Sequence, residues 1–277
     1  MKLTHLFSSA CLALSCFVYA EPAKFYANEA LQKQAPTAYA LSESNIPWLE
    51  QAHKQRQLDA EKLVNALKQN KALYNKLMSW EALSFEQRMA LLPEVFAIEI
   101  QSFAITAPTL VINNTLYPQR AVNFVFDVRY PGAGLVYLNP DKLKEMEVYA
   151  PLAFLLHETR HAYQFQLAFN EQNLLAKGYL SAFNTQSNLS GATFSDFLTL
   201  LNEYEAFQFG NQVLELLTDG KFESAMMGTF ASQFNEHNHL KIDLLELAKD
   251  TQKGTLLELF NAAMKEQYQL RYPEKEN

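Results

Sequence analysis

From Trp48 to about Ser79 the chain has neither Gly nor Pro, and Leu58, Leu63, Leu67, Leu73 and Leu77 recur at helical spacing. This predicts one long amphipathic helix. Ser84 with Gln87 three residues on is a helix-start signature before Met89 to Leu92, and Pro93 is placed to kink or end that second helix. The period then changes to two. Thr109 to Ile112 is a short β-branched run stopped by Asn113-Asn114, and Val122, Phe124, Phe126 and Val128 alternate with Asn123, Val125, Asp127 and Arg129. Tyr130 to Gly134 reads as a turn, and Leu135 to Leu138 as a further strand closed by Asn139-Pro140. Short strands joined by tight turns predict a small, mostly antiparallel sheet. After Pro140 the chain reads as helical, including a helix capped by Thr193 with Asp196 and ending near Asp219-Gly220.

The expected fold class is therefore α+β, predominantly helical. Residues 21–98 form an N-terminal helical region that begins with an irregular lead-in to residue 46. Residues 99–219 form a central core, and residues 220–277 a C-terminal helical region. Composition agrees, with only 8 glycines in 277 residues and no proline between Leu152 and Tyr272. With 49% hydrophobic and 19% charged residues the chain is not compositionally disordered. Its 30 acidic against 23 basic side chains, net −7, argue against a general nucleic-acid binder.

Residues 1–20 read as a cleavable signal peptide. Lys2 precedes a largely apolar stretch from Leu6 to Tyr19, and Val18 and Ala20 stand at −3 and −1 before Glu21. A retained N-terminal anchor is the alternative. No later apolar run reaches the length of a bilayer span, so a periplasmic or secreted protein is expected. Cleavage removes Cys11 and Cys16, the only cysteines. The exported chain then has no disulfide and no thiolate ligand, which leaves metal binding to His and carboxylates.

The candidate chemistry follows the sheet. Pro151 suits a first helical position, and the apolar run Leu152 to Leu156 leads into His157-Glu158-Thr159-Arg160-His161. In this HExxH motif the two imidazoles lie about 40° apart and one turn along the same helix face, where both can reach one ion. Glu158 lies roughly 60° beyond His161 and is free for another role. No His follows at short spacing, so a carboxylate is the expected third ligand. In Asn202 to Gly210, Glu203 shares one helix face with Ala206, Phe207 and Gly210, and that small-residue stripe points Glu203 at a partner helix. Glu205 lies about 200° away. The bland alternative makes both glutamates solvated surface charge.

Together these two segments resemble the gluzincin branch of the zincin metallopeptidases. The second motif of that branch often reads Glu, aromatic, any, Ala, Asp, and Glu203-Tyr204-Glu205-Ala206-Phe207 departs from it at Phe207. The resemblance implies a zincin-like core over residues 99–219. It also implies a Zn²⁺ ion held by His157, His161 and Glu203, with Glu158 as general base and a peptide or protein as substrate. Amide bonds would be hydrolysed by a zinc-activated water whose proton Glu158 passes to the leaving nitrogen. Where the family's Asp orients a ligating imidazole, this chain has Phe207, with Asn202 or a backbone carbonyl as substitutes. His237, His239, Arg160 and several tyrosines are candidates for an oxyanion donor. Gln164, one turn past His161, either touches substrate or completes a hydrogen-bond network, and Phe165, Phe207 and Phe209 would favour apolar substrate side chains. Two other readings stay open: a non-catalytic helical periplasmic binding or assembly protein on a degenerate zincin scaffold, and an amidase acting on cell-wall material.

Overall fold

The computed structural model describes residues 26–220 and 242–271. Residues 1–20, read above as a signal peptide, and His237 and His239 lie outside them. The lead-in is not wholly irregular. It holds a short helix α1 (Glu29–Gln32) and tight helical turns at Pro36–Ala38 and Glu43–Asn45.

The long helix expected from Trp48 is two helices, α2 (Ile46–Gln69) and α3 (Lys71–Met78). Asn70 divides them because its side chain accepts from the Leu73 amide and so caps the second helix. Its amide nitrogen also donates to Glu94 at 2.7 Å. Helix α4 (Phe85–Phe103) starts with the expected capping box of Ser84 and Gln87. Pro93 does not end it. The lost backbone bond is outweighed by an apolar face on which Leu91, Leu92, Val95, Phe96 and Ile100 are buried. The boundary placed at 98/99 therefore falls inside α4.

Strands β1 (Thr109–Ile112), β2 (Val122–Val125) and β3 (Leu135–Leu138) form one sheet in the order β1-β3-β2. The expectation of a mostly antiparallel sheet needs correction. β2 and β3 are antiparallel, but β1 and β3 are parallel, with Thr109 opposite Leu135 and Ile112 opposite Leu138. The link over residues 113–121 is too long for a tight hairpin, so β3 inserts between the two earlier strands. β2 also ends sooner than its alternation suggested. Asp127 accepts from the Arg129 amide at 2.9 Å and turns the chain before Val128.

After α5 (Pro140–Lys144) comes α6 (Ala150–Asn170), with Pro151 in its first turn. Helix α6 is the axis of the molecule. Every residue from Ala150 to Ala162 is buried, and the helix packs against β2, β3, α4, α7 (Leu174–Ser187) and α9 (Leu201–Leu217). Gly178 of α7 admits the Trp48 indole, because a Cβ there would lie 2.1 Å from Nε1. The indole nitrogen donates to the Leu175 carbonyl at 3.2 Å, fastening α7 to α2.

The helix expected from Thr193 is also two helices. Thr193 and Asp196 do form a capping box, but α8 spans only Phe194–Leu198. Leu200 leaves helical geometry to bridge antiparallel to Tyr39, and the Ala40 amide donates to the Thr199 carbonyl at 2.7 Å. A contact with the distant lead-in thus restarts the helix at Leu201. Glu203 comes to lie in the first turn of α9, where the helix dipole favours negative charge. Helices α10 (Leu244–Ala248) and α11 (Leu256–Arg271) complete the described chain. One hydrophobic cluster extends from Ala27 to Met264, so all three stretches share a core. No helix among the described residues is long and apolar enough to cross a membrane.

Candidate metal centre

One turn of α6 and the first turn of α9 bring three buried side chains together. His157 Nε2 and His161 Nε2 are 2.9 Å apart, and Glu203 Oε2 lies 3.4 Å from the first and 3.3 Å from the second. A tetrahedral ion with bonds of 2.0–2.1 Å has ligand atoms about 3.3 Å apart. Two of the three separations therefore match the edge of such a tetrahedron, and the third needs a few tenths of an ångström. His157, His161 and Glu203 could hold a metal ion, and they are the group among the described residues with that geometry.

Electrostatics couple the three groups. For the polypeptide alone, burial and the neighbouring His161 charge hold His157 down at about 4. Burial also disfavours charge on His161, yet the Glu203 carboxylate wins and raises it to about 9. Glu203 follows the same logic in reverse: burial pushes it up, but both imidazoles pull it down to about 2. The site is thus built around a carboxylate paired with one positive charge.

Glu203 is anchored from a third helix. Its Oε1 accepts from Gln186 Nε2 of α7 at 2.6 Å, and Gln186 Oε1 accepts from Asn202 Nδ2 at 2.6 Å. This leaves Oε2 for the imidazoles. Nothing in the local sequence marks Gln186, because the packing of α7 on α9 brings it there.

Glu158 sits on the same buried helix and is 6% exposed. Burial raises its carboxyl to about 8, with Glu203 adding to the rise. The His161 charge, a backbone hydrogen bond at Phe124 and the Arg120 charge oppose it.

The two imidazoles have different surroundings. The Phe207 ring lies against His157, with centroids 4.2 Å apart, and His157 Nδ1 is buried with no hydrogen-bond partner among the described residues. Asn202 does not substitute for the missing acid at His157: its Nδ2 donates to Gln186, its carbonyl accepts from Gln164 Nε2 at 3.0 Å, and its Oδ1, like His157 Nδ1, is buried with no hydrogen-bond partner among the described residues. His161 Nδ1, in contrast, meets Gln164 Oε1 at 2.8 Å. Gln164 is wholly buried and so completes a network.

Glu205 is not a surface charge. It is wholly buried, 2.6 Å from Gln164 Nε2, and it accepts from Arg160 Nη2 at 2.8 Å and Nε at 3.0 Å. Burial works against its ionisation, but the Arg160 charge prevails and lowers it below the ordinary carboxylate value. Arg160 also donates to Asp59 at 2.8 Å, and its guanidinium lies over the rings of Tyr163 and Phe209, at 4.3 and 4.5 Å from their centroids. It is fully committed there, which removes it as an oxyanion donor. Phe165 and Phe209 are core side chains, 1% and 0% exposed, and offer no substrate surface.

No protein-family model matches the chain, and no curated protein or solved structure matches it significantly.

Proposed function

We propose that the chain is an exported, zinc-dependent hydrolase with a zincin-like core over residues 99–219, cleaving amide bonds of peptide or protein substrates. The observation that carries this reading is the convergence of His157 Nε2, His161 Nε2 and Glu203 Oε2 at tetrahedral spacing. Two imidazoles and one carboxylate suit Zn²⁺, and three protein ligands leave a fourth position open. When bound, zinc supplies Lewis-acid polarisation and lowers the pKa of a water molecule.

The remaining work falls to the polypeptide. Glu158 follows His157 directly on α6 and is not among the three grouped ligands, which leaves its carboxylate available to take up a proton and return it. Gln186 keeps Glu203 Oε2 turned toward the histidines. Phe124, Phe183 and Phe207 flank the imidazoles and keep the surroundings apolar, which strengthens every charge interaction there.

A second reading is a non-catalytic metal-binding scaffold. It is favoured by the depth of the site, where His157, Glu158, His161 and Glu203 are 3–6% exposed, and by Phe207 in place of an acid. The deciding experiment incubates the zinc-loaded protein with peptide libraries and follows cleavage by mass spectrometry. Glu158→Gln should keep zinc and lose about 10²–10⁴-fold in turnover. Cleavage by Glu158→Gln at the wild-type rate would refute the mechanism. Zinc binding without any cleavage would favour the scaffold.

A further inference from the structure

We propose that Glu205, acting through Gln164, is a positioning residue that fixes His161 as the Nδ1-protonated imidazole with Nε2 turned to the metal. The orienting carboxylate that Phe207 denies to His157 thus serves the second histidine instead. This inference rests on the metal-centre reading above.

The side-chain amide of Gln164 carries two hydrogens and one acceptor oxygen. Its nitrogen faces the Asn202 carbonyl at 3.0 Å and Glu205 Oε2 at 2.6 Å. Both are acceptors: a backbone carbonyl has no hydrogen to give, and the two Glu205 oxygens already take hydrogens from Arg160 Nε and Nη2. A flipped amide would set its oxygen against both acceptors, so chemistry excludes that orientation. Oε1 is left for His161 Nδ1 at 2.8 Å, and an amide oxygen only accepts. Nδ1 must therefore carry the hydrogen. In the neutral ring that a metal ion requires, the lone pair then falls on Nε2, which is the atom beside Glu203 and His157.

The chain of bonds does more than select a tautomer. Gln164, Glu205 and Arg160 are all 0% exposed, so the negative charge of Glu205 polarises the Gln164 amide without screening by solvent. That makes Oε1 a stronger acceptor and His161 a more basic ligand, the usual work of a carboxylate behind a metal-bound histidine. The spacing is helical: Arg160 and Gln164 are one turn apart on α6, and both meet Glu205 from α9. The bland alternative is that the network only fastens α6 to α9, and the test must separate the two.

Proton–nitrogen NMR of the zinc-loaded wild-type protein should show His161 protonated at Nδ1, with the downfield proton of a strong hydrogen bond. Protonation at Nε2 would overturn the inference without any variant. Gln164→Met keeps the side-chain length and removes the acceptor. Competition with a chromophoric chelator should show zinc affinity about 10–100-fold weaker, and the Nδ1 proton should move upfield. A role confined to fastening the helices would lower the melting temperature yet leave affinity in the folded protein and the Nδ1 resonance unchanged, which would overturn the proposal. If the wild type takes up no zinc, the metal-centre reading itself fails. If it does and Gln164→Met binds equally well, only the relay fails.

Discussion

Glu203 and Glu205 stand two residues apart on α9 and are both buried, yet they face different partners: Glu203 Oε2 lies 3.3 Å from His161, and Glu205 is locked onto Arg160 at 2.8 Å. The first stands where it could help the two histidines hold a metal ion, and the second is the counter-ion of a buried guanidinium. Glu203→Ala should therefore abolish tight zinc binding. Glu205→Ala should weaken zinc binding far less and should in addition destabilise the fold by about 3–5 kcal/mol, because it leaves the buried Arg160 with Asp59 alone. Chelator competition and chemical denaturation on both variants check this. Equal zinc loss in both, with no stability difference, would contradict the assignment.

His157 Nδ1 is the weak point of the group, since it is buried beside Phe207 with no hydrogen-bond partner among the described residues. Phe207→Asp should place an acceptor near it and raise zinc affinity, by about 10-fold or more. The same change removes a buried aromatic ring, so the metal-free variant should be less stable by about 3 kcal/mol or more. Zinc titration and thermal melting with and without metal measure both effects. A variant that folds and binds zinc no better than wild type would show that the orphaned nitrogen is not limiting.

Glu99, wholly buried on α4, gives a pH dependence of known sign. Burial raises its carboxyl well above the ordinary value of 4.5, against the pull of the Thr159 hydroxyl and the Arg160 charge beside it. The folded protein keeps this proton over a pH range in which the unfolded chain has lost it. Stability should consequently fall as pH rises above 4.5 toward the folded value. Glu99→Gln cannot ionise. It should melt close to wild type at pH ~4 and roughly 2–5 °C higher at pH ~8. A gap that is constant across pH would contradict the assignment.

What could be read from the chain depended on how local its cause was. The helix of the HExxH motif, the Ser84–Gln87 capping box and the facing of Glu203 all follow from spacing within a few turns. The splitting of α8 from α9 does not. It is caused by Tyr39 pairing with Leu200 across the fold, and it decides that Glu203 sits in a first turn. The parallel pairing of β1 with β3 was hidden for a similar reason, because alternation marks strands without ordering them. Asn70 could have been found, since an Asn inside a helical run is itself a capping signal. Glu205 was open to being taken for a surface charge because its partner, Arg160, lies on another helix. Gln186 gave no local sign at all.

The most direct test of the centre is elemental analysis of the purified chain from Glu21 onward, as isolated and after reconstitution with zinc, alongside His157→Ala and His161→Ala. The expected result is about one zinc per wild-type chain and a sharp loss in both variants. Absence of stoichiometric metal in both wild-type preparations, or full zinc retention by the histidine variants, would contradict it.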